Sequence, residues 1–438
     1  MSKKIYMLGL QLGLVWLLQS QSQLGLYNFN TIHQSSFLNV SNHGVHKFSL
    51  GLPVIGSIYI GAGNTGFSIP KDVIDSVAVS NGKVTYITKG DFVDGLKAKN
   101  MTYVTSSFDL ISFRIKAKHS YYSFNVTDHQ EFRFLYPKDL FGVLRDGNQR
   151  YIGQEIILND FRVNSQYYRE YAFGYQHEHV EQKWSYGFRV KLLQGIASLH
   201  TSKSTTSILT EESKVEGNDL TVKSDIVVNT SYSKDWEEMD KLNSGDITRL
   251  LLKDFSNLGM ALDIGASHKI NKRLTIAGSL NNLGFIRWKK NPHNYKFKGE
   301  AKFEGVKIDN INNTNGEDLN TETVLDSLAE SFKFDTTYKS YTSSLVGSST
   351  LTLNYELGRN TSINALVFAN YYRGIRLSAS IGIQQKLGHL FAVMAYWGAQ
   401  YGKFDNLGLG IMLKPGPIQL YAICDNLTPY LKAIDGSE

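Results

Sequence analysis

The sequence has a single cysteine, Cys424, and only 7 prolines among its 438 residues. One cysteine excludes an intramolecular disulfide, so burial and hydrogen bonding have to hold the fold together. We expect Cys424 itself to be a small buried apolar side chain. After residue 18 the chain also lacks any run approaching the ~20 apolar residues that a membrane-spanning helix needs. If this chain enters a membrane, it therefore crosses as strands.

The sequence also has little excess of one charge over the other, with 46 Lys and Arg against 40 Asp and Glu. Two of the lysines, Lys3 and Lys4, precede an apolar stretch at 5–18 and a Ser/Gln segment. This pattern predicts a secretory signal peptide over residues 1–22, with a single transmembrane anchor as the alternative. Without those two lysines the balance is 44 against 40. Such a small and dispersed excess gives no argument for nucleic-acid binding, so we expect no nucleic-acid partner.

What the chain does have is aromatic residues and glycine, namely 25 Tyr, 23 Phe and 38 Gly, in an alternating pattern. Residues 109–118 read D-L-I-S-F-R-I-K-A-K, and residues 184–192 read W-S-Y-G-F-R-V-K-L. Because successive side chains of a strand face opposite sides of a sheet, each segment has an apolar face and a cationic face. Two such faces on one strand need two different environments.

We therefore predict an all-β fold, a transmembrane antiparallel β-barrel of about 14 strands with lipid outside and a polar interior. After the signal peptide, residues 23–438 form one domain in the outer membrane of a Gram-negative bacterium. Strand candidates follow one another at a pitch of ~10 residues from 351 to 424, as expected of a spanning meander. The alternative is a secreted soluble β-sandwich or adhesin, in which the apolar rows would pack between two sheets.

Long polar loops carrying short helices complete the predicted architecture. Residues 291–344 are the longest polar stretch, which we assign to an extracellular loop because such barrels keep their periplasmic turns short. Short helices are predicted near 73–77, 247–255 and 324–332. The polar segment 23–42 is expected at a barrel end or inside the lumen.

Alternation also selects candidate functional residues. The polar residues that we expect to face the lumen are Arg114, Lys116, Arg189, Lys191 and Asp263. The aromatic residues that we expect at the membrane interface, near strand ends, are Tyr121, Tyr122, Tyr167, Tyr168, Trp184, Tyr371, Tyr372 and Trp397. A carbohydrate-binding aromatic platform is the alternative for the second set. Asp263 lies in the apolar run M-A-L-D-I-G, which predicts a carboxylate paired with a cation such as Arg189 or Arg287.

The sequence predicts no catalytic, cofactor-binding or metal site. His177 and His179 share a strand face, but no third ligand has a recognisable spacing, and a polar strand end explains them better. The residue types of a Ser/His/Asp hydrolase are present without any supporting motif, so an outer-membrane hydrolase is a minor alternative.

Several segments, taken in order, resemble a group of Bacteroidota outer-membrane barrels known only as a domain of unknown function. The segments that carry the resemblance are S-S-F-L-N at 35–39, L-G-L-P at 50–53, D-L-I-S-F-R-I-K at 109–116, Y-S-F-N-V-T at 122–127, Y-P-K-D-L-F at 136–141, Y-R-E-Y-A-F-G-Y at 168–175, N-L-G-M-A-L-D-I-G-A at 257–266, N-N-L-G-F-I-R-W at 281–288 and D-N-L at 425–427. That group is distantly similar to long-chain fatty-acid transporter barrels and to lipoprotein-shuttle barrels of the type IX secretion system. The resemblance implies a fold and an outer-membrane location but no activity. One departure is that this sequence has no final strand ending in an aromatic residue.

These observations predict a non-enzymatic outer-membrane barrel without cofactors. Its expected role is either to pass or hold a small, apolar ligand, or to act as a scaffold for a surface or secreted protein. Outer-membrane lipid is the partner that the fold itself implies.

Overall fold

The computed structural model describes residues 24–428, except 30–31, 43–46, 53–55, 67–73, 81–82, 89–92, 147, 214–217, 233–253, 307–331 and 402. The predicted signal peptide and most of the helices predicted at 247–255 and 324–332 lie outside the described residues. Within them, no helix is both long and apolar enough to cross a bilayer.

Strands dominate the described chain, and the helices are short. The helices are α1 (Leu24–Asn28), α2 (Ser35–Leu38), α3 (Lys138–Asp146) and a 3₁₀ turn at Gln149–Tyr151. The first strands are β1 (Phe48–Gly51), β2 (Ile58–Asn64), β3 (Ile74–Ser80), β4 (Lys83–Thr88), β5 (Lys99–Ala117), β6 (Ser120–Pro137), β7 (Glu155–Ile157), β8 (Arg162–His179), β9 (Trp184–Glu212) and β10 (Asn218–Tyr232). The others are β11 (Leu258–Lys269), β12 (Leu274–Trp288), β13 (Pro292–Val306), β14 (Phe332–Thr337), β15 (Tyr341–Ser344), β16 (Gly347–Glu356), β17 (Thr361–Tyr371), β18 (Ile375–Leu387), β19 (Phe391–Gln400), β20 (Lys403–Leu413) and β21 (Leu420–Cys424).

One antiparallel sheet contains nineteen of these described strands, and β3 and β4 pair separately. Most strands pair with their neighbours in the chain, as in a meander. The two ends of the sheet approach each other where the Tyr421 hydroxyl lies 2.6 Å from Ser57 Oγ. The prediction of an all-β antiparallel barrel is confirmed. The strand count exceeds 14 because short pieces such as β1, β7 and β15 pair along longer strands.

The two faces of the sheet meet different surroundings. On β9 the side chains of Trp184, Tyr186, Phe188, Val190 and Leu192 are 43–51% exposed on the outer face. Between them Ser185, Arg189 and Lys191 are at most 4% exposed on the inner face. Exposed rows of large apolar residues recur on β5, β11, β16 and β18. A β-sandwich would bury these rows between two layers, whereas this sheet faces them outward.

A polar row ends the apolar band on the outer face. Asp128 of β6, Arg169 of β8 and Gln194 of β9 are direct cross-strand neighbours. The Arg169 guanidinium donates from Nε and Nη2 to the Asp128 carboxylate, at 2.6 and 2.9 Å. From Trp184 to Leu192 the band covers eight residue steps, about 26 Å along the strand at ~3.3 Å per step. That length is close to the apolar band of about 25 Å, measured along the barrel axis, that is typical of membrane barrels, before strand tilt shortens it.

Beyond the polar row the sheet continues as an extension formed by the last part of β9 with β10, β13 and β14. Ion pairs such as Lys203–Asp225 (2.7 Å) cross its strands. The prediction of one long loop at 291–344 is therefore wrong for the described residues, which form β13, β14 and β15. The two-residue alternation of a strand is present in Y-K-F-K-G-E-A-K-F at 295–303, where the charged side chains are exposed and the residues between them are buried or half-buried. The loop prediction rested on the overall polarity of the segment.

Two smaller predictions are also wrong. Residues 74–77 of the helix predicted near 73–77 belong to strand β3. Cys424 is exposed on the outer face of β21 rather than buried, because it alternates with the inward-facing Ile423.

Candidate functional site

An N-terminal segment occupies the interior of the sheet. We call the described residues 24–29 and 32–42, which include α1 and α2, the plug. Its apolar residues are buried against inward-facing residues of β17, β19 and β20. The resulting cluster contains Leu24, Tyr27, Phe29, Ile32, Leu366, Phe368, Ala392, Met394, Tyr396 and Met412. The plug therefore has its own apolar contact with the inner face of the sheet, which we call the wall.

Polar wall residues satisfy the backbone of the plug. Helices this short leave most of their carbonyl groups without a partner inside the helix. Wall side chains donate to five backbone carbonyls of the plug, three in its helices and two in the residues after α2. The pairs are Asn364 with Asn28 (3.1 Å), Arg189 with Phe37 (2.9 Å), Asn281 with Leu38 (2.7 Å), Gln176 with Ser41 (3.0 Å) and Arg114 with Asn42 (3.1 Å). The anchors come from β5, β8, β9, β12 and β17, so the plug is held from several directions.

Four buried charges form a network on the wall beside the plug. Lys191 Nζ lies 2.9 Å from Asp263 Oδ2 and 3.2 Å from Glu170 Oε2. Arg189 approaches the same two carboxylates, at 3.6 Å from Asp263 and 3.3 Å from Glu170. All four side chains are at most 5% exposed. The network is charge-balanced, which is what burial of ions demands.

A cavity of about 240 Å³ lies between the plug and the far end of the barrel. Its charged lining residues are Asp109, Glu131, Arg133, Glu170, Arg189, Lys191 and Arg376. Its aromatic lining residues include Phe37, Tyr59, Tyr103, Tyr168, Tyr372 and Tyr401. The lining is thus both charged and aromatic, which suits a polar solute with a flat or apolar part.

Four of the five residues predicted to face the lumen, Arg114, Arg189, Lys191 and Asp263, are buried on the inner face. Asp263 lies beside Lys191 and Arg189, whereas Arg287, the other proposed partner, is exposed on the outer face. Lys116 lies nearer the end of β5, 3.5 Å from Glu178 and partly exposed.

The aromatic residues predicted at the membrane interface divide between the two faces. Those on the outer face are Tyr122, Trp184, Tyr371 and Trp397, all exposed. Tyr167 is half-buried, with its hydroxyl 3.4 Å from Asp128 in the polar row.

The prediction is wrong for Tyr121, Tyr168 and Tyr372. Tyr121 and Tyr168 are buried inside, where Tyr121 lies under the Arg114 guanidinium and Tyr168 stacks on His129. Tyr372 lines the cavity. Adjacent residues of a strand face opposite sides, so in the Tyr121/Tyr122 pair only one ring can reach lipid.

Sequence reasoning missed Glu170, Arg133 and Arg376. The alternation of Y-R-E-Y-A-F could have placed Glu170 opposite Tyr171, on the inner face. Nothing in the local sequence links Arg133 of β6 with Arg376 of β18.

The two histidines on β8 do not form a metal site. The ring centroids of His177 and His179 are 6.4 Å apart, and His177 Nδ1 lies 3.0 Å from Ser120 Oγ. Among the described residues, no group of three or more His, Cys, Asp or Glu side chains is arranged to hold a metal ion.

Residues 43–425 match a family of unknown function, DUF5723, so the chain belongs to that family. No curated protein matches the sequence.

Two solved structures with a partly similar chain trace are a transporter and an import receptor. The Pseudomonas putida toluene transporter TodX is 8% identical, with a TM-score of 0.30, over 84% of this chain and 76% of TodX. The ferric-catecholate import receptor Fiu of E. coli K12 is 7% identical, with a TM-score of 0.25, over 86% of this chain and 64% of Fiu. TM-scores this low carry no argument about function.

Proposed function

We propose that this protein is a non-enzymatic outer-membrane β-barrel of a Gram-negative bacterium that admits a small polar solute through a plugged lumen. The observation that carries the proposal is the pairing of an exposed apolar outer face with an inner cavity lined by buried charges. Lipid would stabilise the exposed apolar outer face, and a path for solute would explain the charged cavity inside.

The connections support one orientation of the barrel. The turns at 118–119, 180–183, 270–273, 357–360, 388–390 and 414–419 all lie at one end and have two to six residues. The longer connection at 138–161 and the strand ends Tyr232, Leu258, Val306 and Phe332 lie toward the other end. Membrane barrels keep short turns on the periplasmic side, so the 138–161 connection and the sheet extension face outward from the cell. The plug then enters from the periplasmic end, because Asn42 accepts from Arg114 near the 118–119 turn.

The lining favours a polar ligand over the apolar one expected from the sequence. Seven charged side chains line the cavity, and an apolar solute would displace water from them without offering hydrogen bonds in exchange. The volume of about 240 Å³ allows a molecule with roughly a dozen non-hydrogen atoms, at about 20 Å³ per atom of ordinary organic packing.

Reconstitution of the full chain tests the proposal. The detergent-extracted protein is incorporated into liposomes, and flotation in a sucrose gradient and swelling in a series of small sugars and amino acids are measured. We expect the protein to float with the lipid and to admit small solutes faster than empty liposomes. Protein that stays soluble without detergent, or liposomes as tight as the empty ones, would overturn it.

A scaffold for a surface or secreted protein is the second candidate, and the sheet extension is the observation that favours it. Phe334 and Tyr338 are 66% and 68% exposed beyond the polar row, outside the proposed membrane band. Affinity purification from the native host after mild cross-linking tests this role. A single partner protein that is lost in a Phe334→Ser/Tyr338→Ser variant, and kept in an Ile375→Ser control, would favour the scaffold.

A further inference from the structure

One corner of the cavity combines aromatic rings with cations. Met101, Tyr103 and Leu135 are buried there, and Tyr372 and Tyr401 pack against them. The rings of Tyr103 and Tyr401 meet edge to face, with centroids 6.4 Å apart. The corner lies at the end of the lumen opposite the plug's entry, where β17 turns into β18 and β19 into β20. It is the part of the cavity that a solute from outside would reach first.

Three cations surround the two tyrosines on the cavity rim. The Arg133 guanidinium carbon lies 5.1 Å from the centroid of the Tyr372 ring. Arg376 Nη1 donates to the Tyr372 carbonyl at 2.7 Å, and Lys97 Nζ donates to the Tyr401 carbonyl at 2.6 Å. Both arginines line the cavity.

Only one of the three cations at this corner, Arg133, is paired with a carboxylate among the described residues. Glu131 Oε2 pairs with Arg133 Nη1 at 2.8 Å. Within the described part of the chain, no carboxylate comes within 4 Å of the Arg376 guanidinium or the Lys97 ammonium. The buried network deeper in the lumen differs, because Arg189 and Lys191 are matched there by Glu170 and Asp263. The corner therefore carries excess positive charge beside a polarisable aromatic surface.

We infer that this corner binds a small carboxylate carrying an aromatic or similarly flat apolar body. A guanidinium matches a carboxylate with two parallel N–H···O bonds, and Arg376 is the group whose charge remains to be neutralised. The rings of Tyr103, Tyr372 and Tyr401 offer edge and face contacts to a flat body of the same size. The inference deepens the proposed function by naming the ligand class, and it rests on that function for the route of entry.

Calorimetric titration of the detergent-solubilised full chain tests the inference. The probes are 3-phenylpropanoate, its neutral amide 3-phenylpropanamide, and propanoate, which lacks the ring. We expect 3-phenylpropanoate to bind at least about tenfold more tightly than the amide, because the neutral amide forms no charge-assisted hydrogen bond with Arg376. We expect a similar factor over propanoate, because propanoate makes no ring contacts with the tyrosines. Arg376→Gln should remove the preference for the carboxylate over the amide, and Arg376→Lys should keep part of it.

Arg359→Gln is the matched control, because Arg359 is exposed in the 357–360 turn at the other end of the barrel. It should bind all three probes as the wild type does. Equal affinity for acid and amide in the wild type would overturn the inference, and so would an Arg376→Gln variant that folds and retains the preference. Equal binding of propanoate would overturn the assignment of the aromatic body.

The outcomes separate this inference from the proposed function. Liposomes that admit neutral sugars, together with a protein that has no carboxylate preference, would leave the proposed function standing and overturn the inference. Tight liposomes with a protein that still binds 3-phenylpropanoate through Arg376 would overturn the proposed function and support the site.

Discussion

Arg189 of β9 is joined to Phe37 of α2 by two contacts. Its Nη1 donates to the Phe37 carbonyl at 2.9 Å, and its guanidinium carbon lies 5.0 Å from the centroid of the Phe37 ring. The same side chain donates to Asn125 at 2.6 Å and approaches Glu170 and Asp263. One arginine thus connects the plug, the wall and the buried charge network.

Replacing Arg189 should therefore loosen the plug. In Arg189→Met both contacts with Phe37 are lost, and Lys191 alone remains to balance two carboxylates. We expect the free energy of unfolding to fall by about 3–5 kcal/mol, the usual cost of an uncompensated buried charge. Liposomes carrying the variant should swell faster in small sugars than those carrying the wild type.

Arg189→Lys keeps the charge and is the companion variant if Arg189→Met fails to fold. Its ammonium cannot reproduce the planar stacking on Phe37, so solute entry should still rise while stability falls less. Unchanged swelling rates in both variants would show that the plug does not limit entry.

Asp263 and Lys191 should be energetically coupled. Asp263→Asn keeps an acceptor for the Asn282 N–H, now 2.7 Å from Asp263 Oδ1, but leaves Lys191 and Arg189 facing Glu170 alone. Each of Asp263→Asn and Lys191→Met should destabilise the protein. The double variant should be less destabilised than the sum, by about 0.5–3 kcal/mol. Urea unfolding of all four proteins in lipid vesicles measures the cycle, and strict additivity would contradict the network.

A charge on the outer face should be costly. Val190 lies in the exposed apolar row of β9, so Val190→Lys places an ammonium in hydrocarbon if the barrel spans a membrane. We expect a loss of about 2–4 kcal/mol in the free energy of unfolding in vesicles. Thr205→Lys, on the same strand but in the sheet extension, is the control and should change stability by less than about 0.5 kcal/mol. Equal effects at the two positions would favour a soluble protein.

The pH dependence of stability should include a contribution from Asp160, which lies outside the membrane band. A hydrogen bond from Lys99 at 2.6 Å, with further support from Arg162 at 3.2 Å, holds the pKa of the Asp160 carboxyl below its usual range. A depressed folded-state pKa stabilises the fold above the ordinary pKa of about 4, and this stabilisation is lost as the pH falls through the lowered value.

Asp160→Asn tests that contribution without straining the backbone, because asparagine tolerates the positive φ of 70° at this position. At pH 7 the variant should be less stable by under about 1 kcal/mol, as expected of a partly exposed ion pair. The difference between the two proteins should shrink as the pH is lowered below 4. A difference that stays constant with pH would assign the effect to something other than ionisation.

Local alternation was sufficient to predict the sheet and its two faces. In W-S-Y-G-F-R-V-K-L the residue spacing alone separates the exposed aromatic row from the buried cations, and the structure has that separation. The same rule, applied strictly, would have placed Tyr121 inside and Tyr122 outside. The rule also holds in β13, where the charged residues of Y-K-F-K-G-E-A-K-F at 295–303 are exposed and the residues between them are buried or half-buried. The loop assignment there was wrong because it rested on the overall polarity of the segment rather than on its alternation.

The amino-acid sequence by itself determined that this chain forms antiparallel strands with an apolar side and a charged side, because the two-residue period of a strand is a local property of the backbone. Only the tertiary structure decided which charges meet. Strand register and the curvature of the whole sheet determine three contacts. Lys191 neutralises Asp263, Arg189 holds the plug, and Arg133 and Arg376 approach the same tyrosine, Tyr372. Register and curvature arise from pairings between segments far apart in the chain, which no local pattern encodes.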